Sequence, residues 1–196
     1  MKFFQKLDDF LDFGWAQIYR GKVDKKSPAR HPTFVTSSHD GIPNARTLVM
    51  RRSDRKKNQI EFHTDTASSK MLELKRNPRA GIHIWLPKVQ LQIQIDVVIE
   101  IKVGDTIIPI WKNVPTHSRV AYGTIPNPGS VIESPFAYDH APDHKRFAVL
   151  ICHIESIQLL LLGVKHIRAN YKKTNNWKGE WLLSLIHISE PTRPNE

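Results

Sequence analysis

Apolar and polar positions alternate along residues 90–101. Leu91, Ile93, Ile95, Val97, Ile99 and Ile101 fall between Gln90, Gln92, Gln94, Asp96 and Glu100. A two-residue period held this long predicts a strand with one face in a core and the other polar. Near the N-terminus the period changes. Phe3, Leu7, Phe10, Leu11, Trp15 and Ile18 recur at helical spacing, which predicts an amphipathic helix over 3–19. The proline-punctuated "DKKSPARHP" follows as a loop. Strand-like runs "TFVTSS", "ARTLVMRR" and "QIEFHT" are then separated by turns at "HDGIPN" and "SDRKKN", the pattern of two hairpins in an antiparallel meander. A short helix is expected next, capped by Ser68 or Ser69, with Met71, Leu72 and Leu74 as its apolar side and "NPR" as its stop. "AGIHIWL" returns to strand before the long alternating one. Residues 104–123 read as short helices joined at Pro115, and a proline-rich loop, "IPNPGSVIESPFAYDHAPD", precedes strands "RFAVLICHI" and "IQLLLLG". A last pair, "IRANYKK" and "GEWLL", closes the pattern. Antiparallel strands with peripheral helices predict a mainly β fold, a small β-barrel rather than a doubly wound sheet.

The 196 residues suit one domain with its own core, expected over 1–182. The stretch "LSLIHISEPTR" has neither period and reads as the in-frame translation of a sequencing-library adapter, so 183–196 is expected to be a non-native tail. The lone cysteine, Cys152, excludes an internal disulfide framework and fits a reducing compartment. With no apolar run near the roughly 18 residues of a membrane span and no signal-like start, no membrane partner and a cytoplasmic location are expected. A net charge of +10 invites a nucleic-acid partner. The basic residues, however, are scattered over turns ("GKVDKK", "RRSDRKK", "NYKKTNNWK"), so nucleic acid is not the expected partner. A small phosphorylated anion needs only two or three of these charges.

The chain has no GxGxxG, P-loop, HExxH or paired CxxC. Cys152 sits in an apolar strand, as a structural thiol does. In "DHAPDH", His140 and His144 lie beside Asp139 and Asp143, but Pro142 bars a regular helix; a solvated loop and no metal are expected. "FHTDTASSK" carries more chemistry. A strand ends at Thr64 and a helix begins near Ser68 with Lys70 in its first turn, where a cation opposes the helix dipole. Hydroxyls, free amides and a lysine together form a phosphate cradle, and a bound anion offsets that repulsion. The plain alternative is a lysine reaching solvent from a capped helix. Arg46 favours the cradle, because a hairpin is expected to lay "ARTLVMRR" beside "QIEFHT". Arg46 and Arg51, an odd number apart, should then face opposite sides of one strand.

The order "RTLVMR", "HTDTASSK", "NPRAGIHIWLPKVQLQIQI", "SRVAYGTIPNPGS", "HIRANY" and "WKGEWL" resembles the pyridoxamine 5′-phosphate oxidase family over roughly residues 10–182. It is closer to a branch of about this length than to the true oxidase. The resemblance implies an FMN-binding split barrel, antiparallel and Greek-key-like, working as a homodimer with FMN at the interface. By position, Arg46, Thr47, Leu48, Val49 and Arg51 would meet the flavin and its phosphate, and His63 and Thr64 the flavin. Lys70 would hold the phosphate beside Ser69, which stands where relatives often carry arginine. Gln92 would reach the isoalloxazine edge, and its place on a polar strand face suits an amide hydrogen bond. Two late FMN contacts of the true oxidase fall on Leu161 and Asn170. Its substrate-phosphate grip falls on Ile110 and Val114 with only Ser118 kept, and its Arg-Leu-His motif becomes His166-Ile167-Arg168. The expected activity is therefore FMN-dependent oxidoreduction of a small anionic substrate met by Arg51, Ser118 and Arg168, with no acid or base assigned. The alternatives are genuine pyridoxamine phosphate oxidation, and a flavin- or anion-binding module without catalysis.

Overall fold

The sheet is built around one long strand, which pairs directly with three others. The computed structural model describes residues 4–184. The elements in order are α1 (Leu7–Val23), β1 (Thr33–Ser37), β2 (Pro43–Thr47), β3 (Met50–Asp54), β4 (Gln59–Asp65), α2 (Ser69–Arg76), β5 (Arg79–Leu86) and β6 (Leu91–Lys102). They continue as α3 (Ile108–Lys112), α4 (Thr116–Arg119), β7 (Thr124–Ile125), β8 (Asp139–His140), β9 (Phe147–Leu161), β10 (Ile167–Lys172) and β11 (Gly179–Leu182). The main sheet runs β11-β10-β9-β6-β5-β1-β2, all antiparallel, and β4 joins β9 with β3 outside it. β9 thus pairs with β6 along one edge, and with β4 and then β10 along the other.

The alternation read over 90–101 is β6, whose Leu91, Ile93, Ile95, Val97 and Ile99 are buried while Gln94, Asp96 and Glu100 are exposed. The N-terminal helix forms, displaced to Leu7–Val23. Its Phe10, Leu11, Trp15 and Ile18 cover the apolar face of the sheet. α1 lies close because Gly14 has no side chain: a Cβ there would stand 2.8 Å from Leu159. Tyr171, fully buried, donates its hydroxyl to the Leu7 carbonyl at 2.8 Å and fixes the start of α1 to β10.

Four expectations change. "ARTLVMRR" is not one strand: the chain breaks at Leu48–Val49, where the Leu48 N–H goes to the Pro32 carbonyl. Arg46 therefore belongs to β2 and Arg51 to β3, and the argument from one strand's parity does not apply. Two hairpins form, β1–β2 and β3–β4, but they share no middle strand and β2 does not pair with β3, so the three-strand meander expected from the sequence does not form. "RFAVLICHI" and "IQLLLLG" are one 15-residue strand, β9, continuous because β6 pairs along it past an irregularity at Asp96/Val97. The antiparallel fold with peripheral helices stands, but among the described residues the sheet is not closed into a barrel, since no ladder joins its ends. The tail assigned to 183–196 lies outside the described residues from 185 onward.

Candidate functional site

At the end of β4 successive side chains leave the sheet in opposite directions. His63 lies on one face with its side chain covered, its Nε2 2.9 Å from Glu61 Oε1 and its ring edge-on to Phe147. Thr64 faces inward and is buried. Its hydroxyl accepts from Lys70 Nζ at 3.1 Å and lies 3.3 Å from Ser68 Oγ. Ser68 stands at the N-cap of α2, but its hydroxyl donates to the Asp65 carbonyl rather than capping the helix amides. Ser69, the first helical residue, is exposed.

Arg46 reaches this end from β2. Its Nη2 donates to Glu73 Oε2 at 3.1 Å and its Nη1 donates to Thr36 Oγ1, which in turn donates to Glu73. Asn44 Nδ2 completes the set, 2.7 Å from Glu73 Oε1. Burial opposes charge on Glu73, yet the hydrogen bonds from Thr36 and Asn44 and the Arg46 guanidinium prevail and hold its carboxyl below the usual glutamate range. Lys70 shows the opposite balance. Burial, and then the nearby Arg46 charge, lower its pKa against the attraction of Asp65 and Glu73. Two cations are thus held close in a partly desolvated place, an arrangement that a bound anion relieves.

Asp65 is the second hub. Buried, it accepts from Ala67 N at 2.7 Å, Gly123 N at 2.8 Å and Arg146 Nε at 2.9 Å. Gly123 leads from Tyr122, whose hydroxyl is pushed up by burial and lies beside Arg51 of β3. Arg51 Nε is buried without a hydrogen-bond partner among the described residues. Beyond Tyr122 lies an apolar cluster: Ile107, Val114, Phe147 and Val149, with Ile110 and Trp111 against it.

The structure therefore gathers Arg46, Thr64 and Lys70 beside the Asp65 and Glu73 carboxylates, with Arg51 next to Tyr122, the residue before Gly123. The gathering does not follow the expected hairpin, because β2 pairs with β1; α2 makes the link through Glu73. Leu48 packs on the core, Val49 is partly buried in the break, and Thr47 is exposed. Gln92 and Arg168 lie elsewhere, in one cross-strand row with Leu160 between them. Arg168 is held by Gln158 Oε1 at 2.7 Å. Thr64 pairs opposite Ala148 and Gln92 opposite Leu160, twelve residues apart on β9 and roughly 40 Å along the strand at about 3.3 Å per residue. Ser118 sits in α4 and makes no side-chain hydrogen bond among the described residues. Asp65, Glu73, Tyr122 and Arg146 were missed in the sequence. Glu73 was legible in principle, one helical turn after Lys70; the others meet only through the fold.

In "DHAPDH", Asp143 accepts from Lys145 N at 2.9 Å and His140 Nδ1 lies 3.1 Å from the Val120 carbonyl. No group of three or more potential ligands able to hold a metal occurs among the described residues. No helix among them is long and apolar enough to cross a membrane.

Residues 13–102 match the family model described as pyridoxamine 5′-phosphate oxidase, FMN-binding domain. A curated pyridoxine/pyridoxamine 5′-phosphate oxidase of Chromohalobacter salexigens is 26% identical over 110 residues, 56% of this chain and 50% of that protein. The match thus spans half the length of this relative. Among solved structures, a pyridoxamine 5′-phosphate oxidase-related FMN-binding protein of Nostoc punctiforme superposes with a TM-score of 0.73 at 23% identity, covering 94% of this chain and all of that one. PhzG from Burkholderia lata, solved with tetrahydrophenazine-1-carboxylic acid, gives 0.65 at 16% identity, with 91% and 90% covered. At these identities the superpositions speak for the fold.

Proposed function

We propose that the chain is a member of the pyridoxamine 5′-phosphate oxidase family, whose FMN-binding domain model matches residues 13–102, and that it binds FMN and oxidises or reduces a small anionic substrate other than pyridoxamine phosphate. The observation that carries this reading is the cation cluster at the end of β4. Lys70, Arg46 and Arg146 stand around only two carboxylates, Asp65 and Glu73, with Arg51 next to Tyr122. Arg46 is paired with Glu73 and Arg146 with Asp65, so Lys70 adds a positive charge that neither ion pair cancels, and the corner suits a phosphate. The donor set fits: an ammonium and a guanidinium give charge-assisted hydrogen bonds to phosphate oxygens, and the Thr64 and Ser68 hydroxyls line the same corner.

In this reading Lys70 and Arg46 hold the FMN phosphate, and Arg51 attracts the substrate. FMN, when bound, supplies the redox capacity, and the protein supplies binding, orientation and exclusion of water. One chain does not bring Gln92 to Lys70, since Gln92 and Thr64, which Lys70 contacts, pair with opposite ends of β9. A site using both needs a second copy, so we take the active form to be a homodimer joined through the polar outer face that carries Gln92, Gln94, Gln158 and Arg168. The substrate differs from pyridoxamine phosphate because Ile110 and Val114, in the apolar cluster beyond Tyr122, offer no donor to a second phosphate.

The absorption spectrum of the purified protein tests the cofactor. Flavin bands near one per chain support it, and a colourless protein that cannot be loaded with FMN overturns it. Incubation with pyridoxamine phosphate and oxygen tests the substrate. No pyridoxal phosphate or peroxide is expected, and steady turnover would restore the vitamin B6 reading.

A further inference from the structure

The Arg46 guanidinium is not free to swing. It is fastened by Glu73, which lies one helical turn beyond Lys70 on α2 and takes hydrogen bonds from three residues on two other strands. The Glu73 side chain is only 12% exposed and that of Arg46 21%, so the pair sits below the surface of the cradle. We infer that Glu73 is the positioning residue of the anion site: through Thr36, Asn44 and Arg46 it locks α2 to the β1–β2 hairpin and aims the guanidinium so that Arg46 and Lys70 meet one phosphate together. This rests on the FMN reading above.

The argument is one of geometry against charge. A carboxylate near a phosphate repels it, so on electrostatics alone Glu73 lowers affinity. Arg46, however, comes from a different hairpin than the strand leading to Lys70. Without an anchor, two mutually repelling cations on separate elements have no reason to stay side by side. Glu73 supplies the anchor on the same helix as Lys70. It engages Nη2 while Thr36 engages Nη1, leaving other N–H donors of the planar fork for a ligand. Asn44, opposite Thr36 across the β1–β2 ladder, spans the second carboxylate oxygen and fixes its plane.

The test compares FMN with riboflavin, which shares the ring and lacks the phosphate. The wild-type ratio of riboflavin to FMN dissociation constants measures what the phosphate contributes. Glu73→Ala is expected to lower that ratio by about tenfold or more, the loss of a charge-assisted contact, with riboflavin affinity kept within twofold. Glu73→Gln, which still accepts from Arg46 and Thr36, should restore most of the ratio. A ratio that rises in Glu73→Ala would show that the carboxylate merely repels phosphate, and an unchanged ratio would show that it only braces the fold; either result overturns the assignment. Should Glu73→Ala fail to fold, a ratio in Glu73→Gln that drops as far as in Arg46→Ala would equally overturn it. Wild-type protein that binds neither ligand would instead sink the FMN reading itself.

Discussion

At Asp65 a single buried carboxylate ties together the N-terminal approach of α2, the turn after Tyr122 and the start of β9, through Ala67, Gly123 and Arg146. Asp65→Ala leaves the Gly123 amide and the Arg146 guanidinium without their shared acceptor. The expected cost is roughly 3 kcal/mol of stability, read as a lower urea midpoint at unchanged slope. Lys70 makes a prediction of a different sign with pH. Burial and Arg46 lower its pKa, so its proton leaves below the ordinary lysine value of 10.5. In that window the unfolded chain binds more protons than the folded one, and this group's contribution to the stability of the cofactor-free protein improves as pH rises. Phosphate binding, which needs the ammonium, moves the other way. FMN affinity should weaken as pH climbs toward 10.5 while riboflavin affinity stays level, and titrations at several pH values by flavin fluorescence check this.

The elements around the site are held by contacts that side-chain size controls. Gly123 has φ +110, and a Cβ there would stand 2.1 Å from the Ala141 carbonyl oxygen, which is backbone and cannot turn aside. Gly41, in the β1–β2 turn, also has positive φ (+79) but nothing within 4 Å. Gly41→Ala should therefore cost only the left-handed backbone penalty, about 1–2 kcal/mol. Gly123→Ala must also move the 122–143 segment off Asp65 and should cost clearly more, with faster proteolysis confined to that segment. Equal costs, measured by thermal melting of the two variants side by side, would show that the Asp65 hub does not depend on this close approach.

For the molecule as a whole, the outer face of β6, β9 and β10 presents Gln92, Gln94, Gln158 and Arg168, and the proposed site is complete only when a second copy meets it. Sedimentation should give twice the chain mass. Gln94→Lys, placing like charges across the two-fold contact, should shift the protein toward monomer and weaken FMN binding. A Gln94→Lys monomer that binds FMN normally would show that one chain suffices. Much of this molecule was written in its sequence, because a period of two or of 3.6 depends only on neighbouring residues. β6, α1, the start and stop of α2 and the lysine in its first turn could all be read locally, though Ser68 does not cap the helix with its hydroxyl, and the ordered motifs pointed to the family. What only the tertiary structure decided depends on contacts between distant segments. The chain breaks at Leu48–Val49 because Leu48 finds Pro32, β9 runs unbroken because β6 pairs along its length, and the sheet stays open because its last strands have no partner ladder. Likewise Arg46 reaches Lys70 by way of Glu73 and not by the expected hairpin. No local pattern in "ARTLVMRR" specifies that meeting; a hydrogen-bonded carboxylate 27 residues further along the chain does.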